Sequence, residues 1–125
     1  MTGYIVFAHG SSVESANNAV RAVAGELAQR GRFELVVAAF LEGGEPNLSA
    51  AARELAARGA TRVLVIPYFL TLGLHLQRDL PKLIAQARLA NPGLEIDTTP
   101  PLDGHPAMVD ALLDRARAHS ACGPN

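Results

Sequence analysis

The sequence YIVFAHGSS at residues 4–12 joins an apolar, strand-like run to a turn that contains a histidine, a glycine and two serines. A second run, VLVIPYFLTLGLHLQRDLP at residues 63–81, also begins as an apolar strand and places His75 a few residues past it. Ligands of an open parallel α/β sheet bind beyond the carboxyl ends of its strands. We therefore expect His9 and His75 in one crevice, where two imidazoles indicate metal or proton chemistry.

Four strand-then-helix units follow one another along the chain. The predicted strands are residues 4–8, 33–40, 62–67 and 94–98, and the predicted helices are residues 14–30, 47–58, 79–90 and 107–119. Leucine-rich and β-branched strands that alternate with amphipathic helices are typical of a parallel sheet covered on both faces. The sequence predicts one three-layer α/β/α domain with a four-stranded, mostly parallel sheet over residues 1–119, followed by a flexible tail at residues 120–125.

Glycine, serine, asparagine and proline residues mark where the predicted helices begin and end. Gly31 is expected to end the first helix, and Ser11 and Ser12 could cap its start. The second helix is expected to start at Asn47 or two residues later. The third helix is expected to start at residue 79 or 80, which puts Pro81 in its first turn.

Composition excludes several classes of protein. Hydrophobic residues make up 49% of the chain, but charges interrupt them, and no run approaches the ~20 apolar residues of a membrane helix. The start of the sequence lacks the basic and apolar pattern of a secretory signal, so we expect a cytoplasmic protein. A net charge of -1 with interspersed acidic and basic residues offers no basic face for nucleic acid. The single cysteine, Cys122, cannot form an internal disulfide.

The turn after the first strand offers several groups that could bind a ligand. Gly10 has no side chain, so a ligand can approach the backbone there. Backbone amides and the hydroxyls of Ser11 and Ser12 at a helix N-terminus could hold a carboxylate or phosphate beside the His9 imidazole. The alternative is a histidine that only packs or caps at the end of a strand. The presence of a second histidine weighs against that alternative.

The segment after the third strand, predicted as a loop over residues 68–77, is unusually apolar for a solvent-facing connection. Its candidate substrate-binding residues are Tyr68, Leu70, Leu72 and Leu74. A flat hydrophobic ligand, a partner subunit, or both would explain this apolar surface, whereas the alternative is that the leucines fold back into the core. Arg78 follows the segment and could hold a carboxylate through two hydrogen bonds, or pair with the adjacent aspartate or solvent instead.

A carboxylate joins the two histidines at the same predicted edge of the sheet. Glu42 follows the second strand in the segment AFLEGGEP, so it could act as a metal ligand or as a base. Two neutral imidazoles and one carboxylate, with coordination positions left open, suit a borderline divalent metal such as Fe, Co, Ni or Zn. His105 also lies at a strand-to-helix junction, but its neighbours are turn and capping residues, and we interpret it as structural.

Four blocks of the sequence together resemble the short-form sirohydrochlorin chelatases, which are class II tetrapyrrole chelatases. The blocks are the first strand with AHGSS, the segment AFLEGGEPNL, the pattern P-Y-F-L-x-x-G-x-H-x-x-x-D-L-P from Pro67 to Pro81, and PLDGHP. Ala8 stands where many relatives have glycine, which bears only on the tightness of the first turn. The resemblance implies insertion of Co2+ or Fe2+ into sirohydrochlorin by a homodimer, without a nucleotide, for corrinoid or siroheme biosynthesis. It also implies that His9 and His75 are the active-site pair.

Metal insertion is chemistry that these residue types can perform. The reaction must deliver a dehydrated cation to the macrocycle and remove two pyrrole protons, and neutral imidazoles can serve both steps. We expect His9 and His75 to hold the metal or accept protons, with Glu42 assisting. The divalent metal (Co2+, Fe2+ or Ni2+) is then a substrate and not a permanently bound cofactor. A second copy of the chain with its apolar loop opposite would close a slot around the tetrapyrrole.

Two other functions would use the same features. A non-catalytic carrier would bind a metal or a tetrapyrrole without accelerating insertion. A histidine phosphoenzyme would use the His9 imidazole as a nucleophile, with arginines clamping the phosphate, but no arginine lies beside His9 in the sequence.

Overall fold

The structure, a computed structural model, describes the backbone of residues 1–122 and the side chains of residues 1–119. Its strands are β1 Thr2–Ala8, β2 Val36–Phe40, β3 Arg62–Pro67 and β4 Glu95–Thr98. Its helices are α1 Glu14–Gly31, α2 Leu48–Ala57, α3 Leu74–Ala90 and α4 Pro106–Cys122. The strand order is β2-β1-β3-β4 and every pair is parallel, which confirms the predicted four-stranded α/β sheet.

β1 lies at the centre of the sheet, between β2 and β3, and its side chains alternate between the two faces. Ile5 and Phe7 are buried in the core that includes residues of α2 and α3. Val6 and Ala8 are buried on the other face, with residues of α1. A parallel strand covered on both faces needs an unbroken apolar run, which is why YIVFA lacks the polar alternation of a half-exposed strand.

The helices cover the two faces of the sheet unequally. α2 and α3 pack on one face, and α1 packs against β1 and β2 on the other. Helices therefore lie on both faces, as predicted, but α1 leaves β3 and β4 open on its face. α4 does not cover β3 and β4 on this face. Within residues 106–119 no side chain is buried, and only Met108 is half-buried.

α3 begins at Leu74, well before the predicted start at residue 79 or 80, so that prediction was wrong. Pro81 lies inside the helix and not in its first turn. Proline lacks the N–H that an interior helical residue donates to the carbonyl four residues earlier, so it is common in the first turn of a helix, where that N–H has no partner. For this reason Pro81 suggested a helix that begins just before it. The preceding residues are mostly good helix formers, and they extend the helix back to Gly73. His75 consequently lies in the first turn of α3 and not in a loop.

Other helix ends differ in detail from the prediction. Gly31 is the last helical residue of α1, and Arg32 after it takes the left-handed conformation with φ of 55°. No side chain caps α1, because Val13 precedes it and the Ser11 hydroxyl accepts a hydrogen bond from the Val13 amide at 3.0 Å. The Asn47 side chain does cap α2, as predicted, by accepting a hydrogen bond from an amide of its first turn at 2.9 Å.

The end of the chain is helical further than predicted. α4 continues through Cys122 and so includes the start of the predicted tail, whereas residues 123–125 of that tail lie outside the described residues. His105 Nδ1 accepts a hydrogen bond from the Ala107 amide at 3.0 Å, which agrees with a structural role at the start of α4. Within the described chain, no helix combines the length and the apolar character needed to cross a membrane.

The packing of α2 on the sheet predicts a large effect of Leu55→Ala. Leu55 is fully buried and lies against Gly3 of β1, so its truncation should lower the free energy of unfolding by about 2–5 kcal/mol. Leu89→Ala is the matched control, because Leu89 is 83% exposed and should change stability by less than about 0.5 kcal/mol. Urea denaturation followed by circular dichroism measures both. Equal losses would contradict this assignment of the core.

Candidate active site

The carboxyl ends of β1 and β2 bring two glycine-containing loops into contact. The first loop, residues 9–13, follows β1, and the second loop, residues 41–47, follows β2. The Glu42 amide donates a hydrogen bond to the His9 carbonyl oxygen at 3.0 Å, which extends the sheet ladder past the end of both strands. This bond sets His9 and Glu42 side by side at the edge of the sheet.

Glycine is required where the first and second loops touch. Gly10 has a φ of +90°, and a Cβ atom there would overlap the Glu42 carbonyl oxygen. Gly43 has a φ of +72°, and a Cβ atom there would lie 2.8 Å from the Ser11 carbonyl carbon. A positive φ and a close backbone neighbour each favour glycine. Gly10 and Gly43 therefore allow the two loops to pack backbone against backbone.

Asn17 of α1 holds the first and second loops together. Its side chain is fully buried. The Ser11 amide donates a hydrogen bond to Asn17 Oδ1 at 2.9 Å. Asn17 Nδ2 donates to the carbonyl oxygens of Ser11 at 2.9 Å and of Gly43 at 3.0 Å. A buried side-chain amide without hydrogen-bond partners is unfavourable, so the Asn17 amide favours the loop positions at which all three bonds form. These bonds therefore fix the separation of the two loops.

Asn17 is not among the site residues predicted from the sequence. It continues the helical stripe formed by Val20, Ala24 and Leu27, which pack on the sheet. A polar residue at the first position of an otherwise apolar stripe, next to the strand ends, is the signal that could have found it.

Arg21 braces the same loops from the neighbouring turn of α1. Its guanidinium donates to the Glu14 carboxylate at 2.6 Å and to the Glu45 carbonyl oxygen at 3.0 Å. It also lies 5.1 Å from the centre of the Phe40 ring. The hydrogen bond from Arg21, and secondly that from Asn17, hold the pKa of Glu14 below its usual value. The Arg21 guanidinium is thus hydrogen-bonded to groups of the protein itself.

His9 and Glu42 face one another at an exposed position. His9 Nε2 lies 3.7 Å from Glu42 Oε1, and the two side chains are 60% and 70% exposed. His9 Nδ1 lies 3.3 Å from the Gly10 carbonyl oxygen, which can only accept a hydrogen bond. With the proton on Nδ1, the Nε2 lone pair and the carboxylate are two acceptors within 3.7 Å. A proton or a divalent cation between them could be bound by both.

His75 and Arg78 both lie in the first two turns of α3, and both are exposed. Neither side chain takes part in an ion pair among residues 1–119. The predicted alternative of an Arg78 pair with Asp79 is therefore not formed within the described side chains. The Arg78 guanidinium faces solvent and can meet an anionic ligand.

The segment from the end of β3 to the first residue of α3 keeps much of its apolar surface in contact with solvent. Tyr68, Leu70 and Leu74 are exposed, Leu70 by 73% and Leu74 by 74%. We name these three residues the apolar patch. Leu72 and Leu76 are half-buried, and Phe69 packs against the core, so these three side chains do fold back towards the protein. The exposure of the apolar patch supports the interpretation that it meets a ligand or a partner.

Two small cavities are lined by residues of the segment after β3, and one of them includes residues of the apolar patch. One, of about 370 Å3, lies between α3 and the segment after β4, with Leu72, Pro81 and Pro101 in its lining. The other, of about 300 Å3, is lined by Tyr68, Phe69, Leu70 and Leu102. Leu102 therefore links the connection between β4 and α4 to the apolar patch.

The structure brings only some of the predicted metal ligands close together. His9 pairs with Glu42, while Ser11 and Ser12 follow His9 in the first loop. Among the residues that the structure describes, no three His, Cys, Asp or Glu side chains are close enough to share a metal ion. His75 is thus not in a three-ligand group with His9 and Glu42. The chain carries His75 past the end of β3 and onto α3, which packs towards β4.

The contact between the loops predicts a severe effect of Gly10→Ala. Gly93→Ala is the matched control, because Gly93 also has a positive φ, +88°, but a Cβ atom there meets nothing within 4 Å. Gly93→Ala should cost about 1–2 kcal/mol through its left-handed backbone alone. Gly10→Ala should cost about 1–3 kcal/mol more, because its methyl group also forces the loops apart. Chemical denaturation measures both, and equal losses would show that the loops do not pack as described.

The hydrogen bonds of the buried Asn17 side chain predict that Asn17→Ala loosens the first loop. The substitution should cost about 1–3 kcal/mol, because it removes the three hydrogen bonds that join Asn17 to Ser11 and Gly43. Amide hydrogen exchange should show faster exchange at Ser11. Asn18→Ala, at the exposed neighbouring asparagine, should leave that exchange rate unchanged. A Ser11 amide that stays protected in Asn17→Ala would contradict the role of Asn17.

Sequence comparison gives relatives along nearly the whole chain. The CbiX family model matches residues 3–119. The sirohydrochlorin cobaltochelatase of Sulfolobus acidocaldarius is 31% identical over 116 residues, which cover 93% of this chain and 90% of that protein. The chloroplastic sirohydrochlorin ferrochelatase of Arabidopsis thaliana is 31% identical over 113 residues, which cover 90% of this chain and 50% of that protein.

Solved structures share the fold. A CbiX protein from Marinobacter aquaeolei matches with a TM-score of 0.80 and 25% identity over 98% of this chain and 100% of that chain. The sirohydrochlorin chelatase SirB from Bacillus subtilis, in complex with cobalt, matches with a TM-score of 0.84 and 25% identity over 94% of this chain and 50% of that chain. This chain thus spans the whole of one structure and half of the other. Sequence, fold and the match over residues 3–119 agree that the chain belongs to the CbiX family.

Proposed function

We propose that this protein is a sirohydrochlorin chelatase, an enzyme that inserts a divalent metal, Co2+ or Fe2+, into sirohydrochlorin without a nucleotide. The relatives named above include a cobaltochelatase and a ferrochelatase, which supports this activity. The observation that carries the proposal is the pair of His9 Nε2 and Glu42 Oε1, 3.7 Å apart at the exposed carboxyl edge of the sheet.

The paired imidazole and carboxylate suit the chemistry of insertion. Insertion exchanges two pyrrole protons for one cation, so the site must hold a partly dehydrated metal and then accept protons. Imidazole nitrogen and carboxylate oxygen are ligands for Fe2+, Co2+ and Ni2+. His9 and Glu42 would hold the cation first and take up protons as it passes to the macrocycle. His75, exposed at the start of α3, is the second imidazole proposed for metal binding or proton transfer.

The exposed residues around this pair suit the macrocycle itself. The apolar patch would lie against its flat face, and the half-buried Leu72 would line the same side. Arg78 has no ion pair among the described side chains, so it can bind a peripheral carboxylate through two hydrogen bonds. The hydroxyls of Ser11 and Ser12 in the first loop could bind a second carboxylate.

We infer that the working form is a cytoplasmic homodimer with no resident cofactor, in which the metal enters as a substrate. The apolar patch of one small domain is open to solvent, and contiguous exposed apolar surface marks interaction sites. This chain covers half of the SirB chain, so two copies of this chain together have about the length of one SirB chain. A second copy with its patch opposite would enclose the macrocycle between two apolar surfaces.

The alternative functions fit the site less well. A phosphoenzyme needs cationic groups around its histidine, but the group facing His9 Nε2 is the Glu42 carboxylate, which would repel a phosphate. A non-catalytic carrier of metal or tetrapyrrole remains the second candidate. The open, two-ligand arrangement of His9 and Glu42 favours transfer over storage, because a tight carrier would surround its metal with more ligands.

The first experiment follows the visible spectrum of sirohydrochlorin with Co2+, Fe2+ or Ni2+ in the presence and absence of the protein. We expect insertion to be faster than the protein-free control, and His9→Ala or His75→Ala to lower the rate by about 100-fold or more. Circular dichroism confirms that the variants are folded. Binding without acceleration would support the carrier, and no binding at all would reject both functions.

Glu42→Gln tests the carboxylate separately from the fold. Glutamine keeps the size of the side chain but removes its charge, so we expect slower insertion and weaker binding of Co2+, measured by isothermal titration calorimetry. Glu54→Gln, at an exposed glutamate of α2, is the matched control and should behave like the unaltered protein. Equal activity of Glu42→Gln and Glu54→Gln would remove Glu42 from the proposed mechanism.

A further inference from the structure

The first turns of α3, together with the residues just before them, are packed against the protein mainly at their two ends. Phe69 packs against the core on one side, and Leu80 is the first buried residue of α3 on the other. We name residues 70–79, which lie between these two, the arm. No side chain of the arm is buried, and only Leu72 and Leu76 are half-buried. Few packing contacts therefore fix the position of the arm.

Polar contacts do not attach the arm to other elements either. Its one side-chain hydrogen bond among the described residues joins Gln77 Nε2 to the Leu72 carbonyl oxygen at 3.1 Å, and both residues belong to the arm. None of its charged side chains takes part in an ion pair within residues 1–119. Gly73, which precedes α3, has no side chain to cap the helix. Segments with so few buried contacts are those that move at a low cost in free energy.

Pro81 interrupts α3 directly after the arm and Leu80. Its nitrogen carries no hydrogen, so it cannot donate to the Gln77 carbonyl oxygen four residues earlier, and its ring crowds that carbonyl. Prolines of this kind are where helices bend sharply. Gln77, Leu80 and Pro81 also line the cavity of about 370 Å3 between α3 and the segment after β4. Close packing resists movement, so this open space makes a bend at Pro81 easier.

We propose that Pro81 is a positioning residue, and that the arm bends about it to bring His75 to the pair of His9 and Glu42. The inference rests on the proposed chelatase function and specifies how its site is completed. In the structure, His75 is not in a three-ligand group with His9 and Glu42, although the proposed chemistry uses both imidazoles. A bend at the base of the arm supplies the missing movement.

The length of the arm gives the size of that movement. His75 lies six positions before Pro81, which makes a lever of about 9 Å at ~1.5 Å per helical residue. A bend of about 30° at the base would move the tip by roughly 5 Å. Leu74 and Arg78 belong to the same arm and would move with His75. Contact with the macrocycle and ligation of the metal by His75 would therefore occur together.

Hydrogen–deuterium exchange of the full chain, followed by mass spectrometry, tests whether His75 reaches the metal. With saturating Co2+, we expect exchange over residues 74–80 to slow by at least about tenfold, because ligation by His75 ties the arm to the other ligands. This slowing should be absent in His75→Ala, although His9 and Glu42 can still bind the metal. An arm that exchanges equally fast with and without bound Co2+ in the unaltered protein would overturn the inference.

Two further variants exclude simpler explanations of slower exchange. His9→Ala should also lose the slowing, whereas Co2+ bound to the arm alone would preserve it and so overturn the inference. His105→Asn is the matched control, because His105 accepts a hydrogen bond at the start of α4 and asparagine is a preferred residue at that position of a helix. The slowing should persist in His105→Asn.

Pro81→Ala tests the bend itself. Alanine restores the N–H and favours a straight helix, so the variant should fold and its arm should resist bending. We expect the dissociation constant for Co2+, from isothermal titration calorimetry, to rise to that of His75→Ala, and kcat for insertion to fall by at least about tenfold. Pro92→Ala is the matched control, because Pro92 is also exposed and follows the other end of α3. It should behave like the unaltered protein.

The outcomes separate this inference from the function on which it rests. If Pro81→Ala binds and inserts Co2+ as Pro92→Ala does, the bend is overturned, and insertion by the unaltered protein leaves the chelatase function standing. If the unaltered protein neither binds Co2+ nor accelerates its insertion, the proposed function fails and the inference fails with it.

Discussion

The backbone contact between the loops after β1 and β2 is the constraint on which the candidate site depends. Gly10 and Gly43 permit an approach that side chains would block, and the buried Asn17 side chain bridges the two loops with hydrogen bonds. His9 and Glu42 are themselves exposed, so little packing holds their side chains. Their pairing therefore follows from the backbone positions that this contact fixes. An active site can be open to a large substrate and still be ordered when its precision comes from the loop backbone.

The strand order explains where the crevice lies. The chain crosses from β1 to β2 through α1 on one face, and from β2 past β1 to β3 through α2 on the other face. The loops that leave β1 and β3 therefore diverge to opposite faces and open a space between the carboxyl ends of these neighbouring strands. His9 lies on one side of that space. Tyr68, whose amide donates to the Phe7 carbonyl oxygen at 2.7 Å, begins the other side.

Much of this arrangement could be predicted from the sequence. Continuous apolar runs indicated parallel strands, and the bounds of β3 were confirmed at Arg62–Pro67. The position of His9 and Glu42 at one edge follows from each residue coming just after its strand. The start of α3 was not predictable from local signals, because Pro81 resembles a first-turn proline. The helical pattern marks Asn17 as a polar exception in an apolar stripe, but it does not reveal the partner of Asn17, because Gly43 is 26 residues away in sequence. Contacts of that range are decided by the tertiary fold and leave little trace in local pattern.

The apolar patch is open to solvent on this chain, and Val109, Leu112 and Leu113 of α4 are exposed as well. Open apolar surface on a single chain marks an interaction site, and a closed symmetric pair such as the proposed homodimer would cover it without continuing into larger assemblies. SirB is about twice as long as this chain, and two units of this size in one chain would meet at a high effective concentration. In the proposed homodimer, the affinity between copies would replace that covalent link. Dimer stability and substrate binding are then linked by mass action, so the activity of the proposed chelatase should depend on its own concentration.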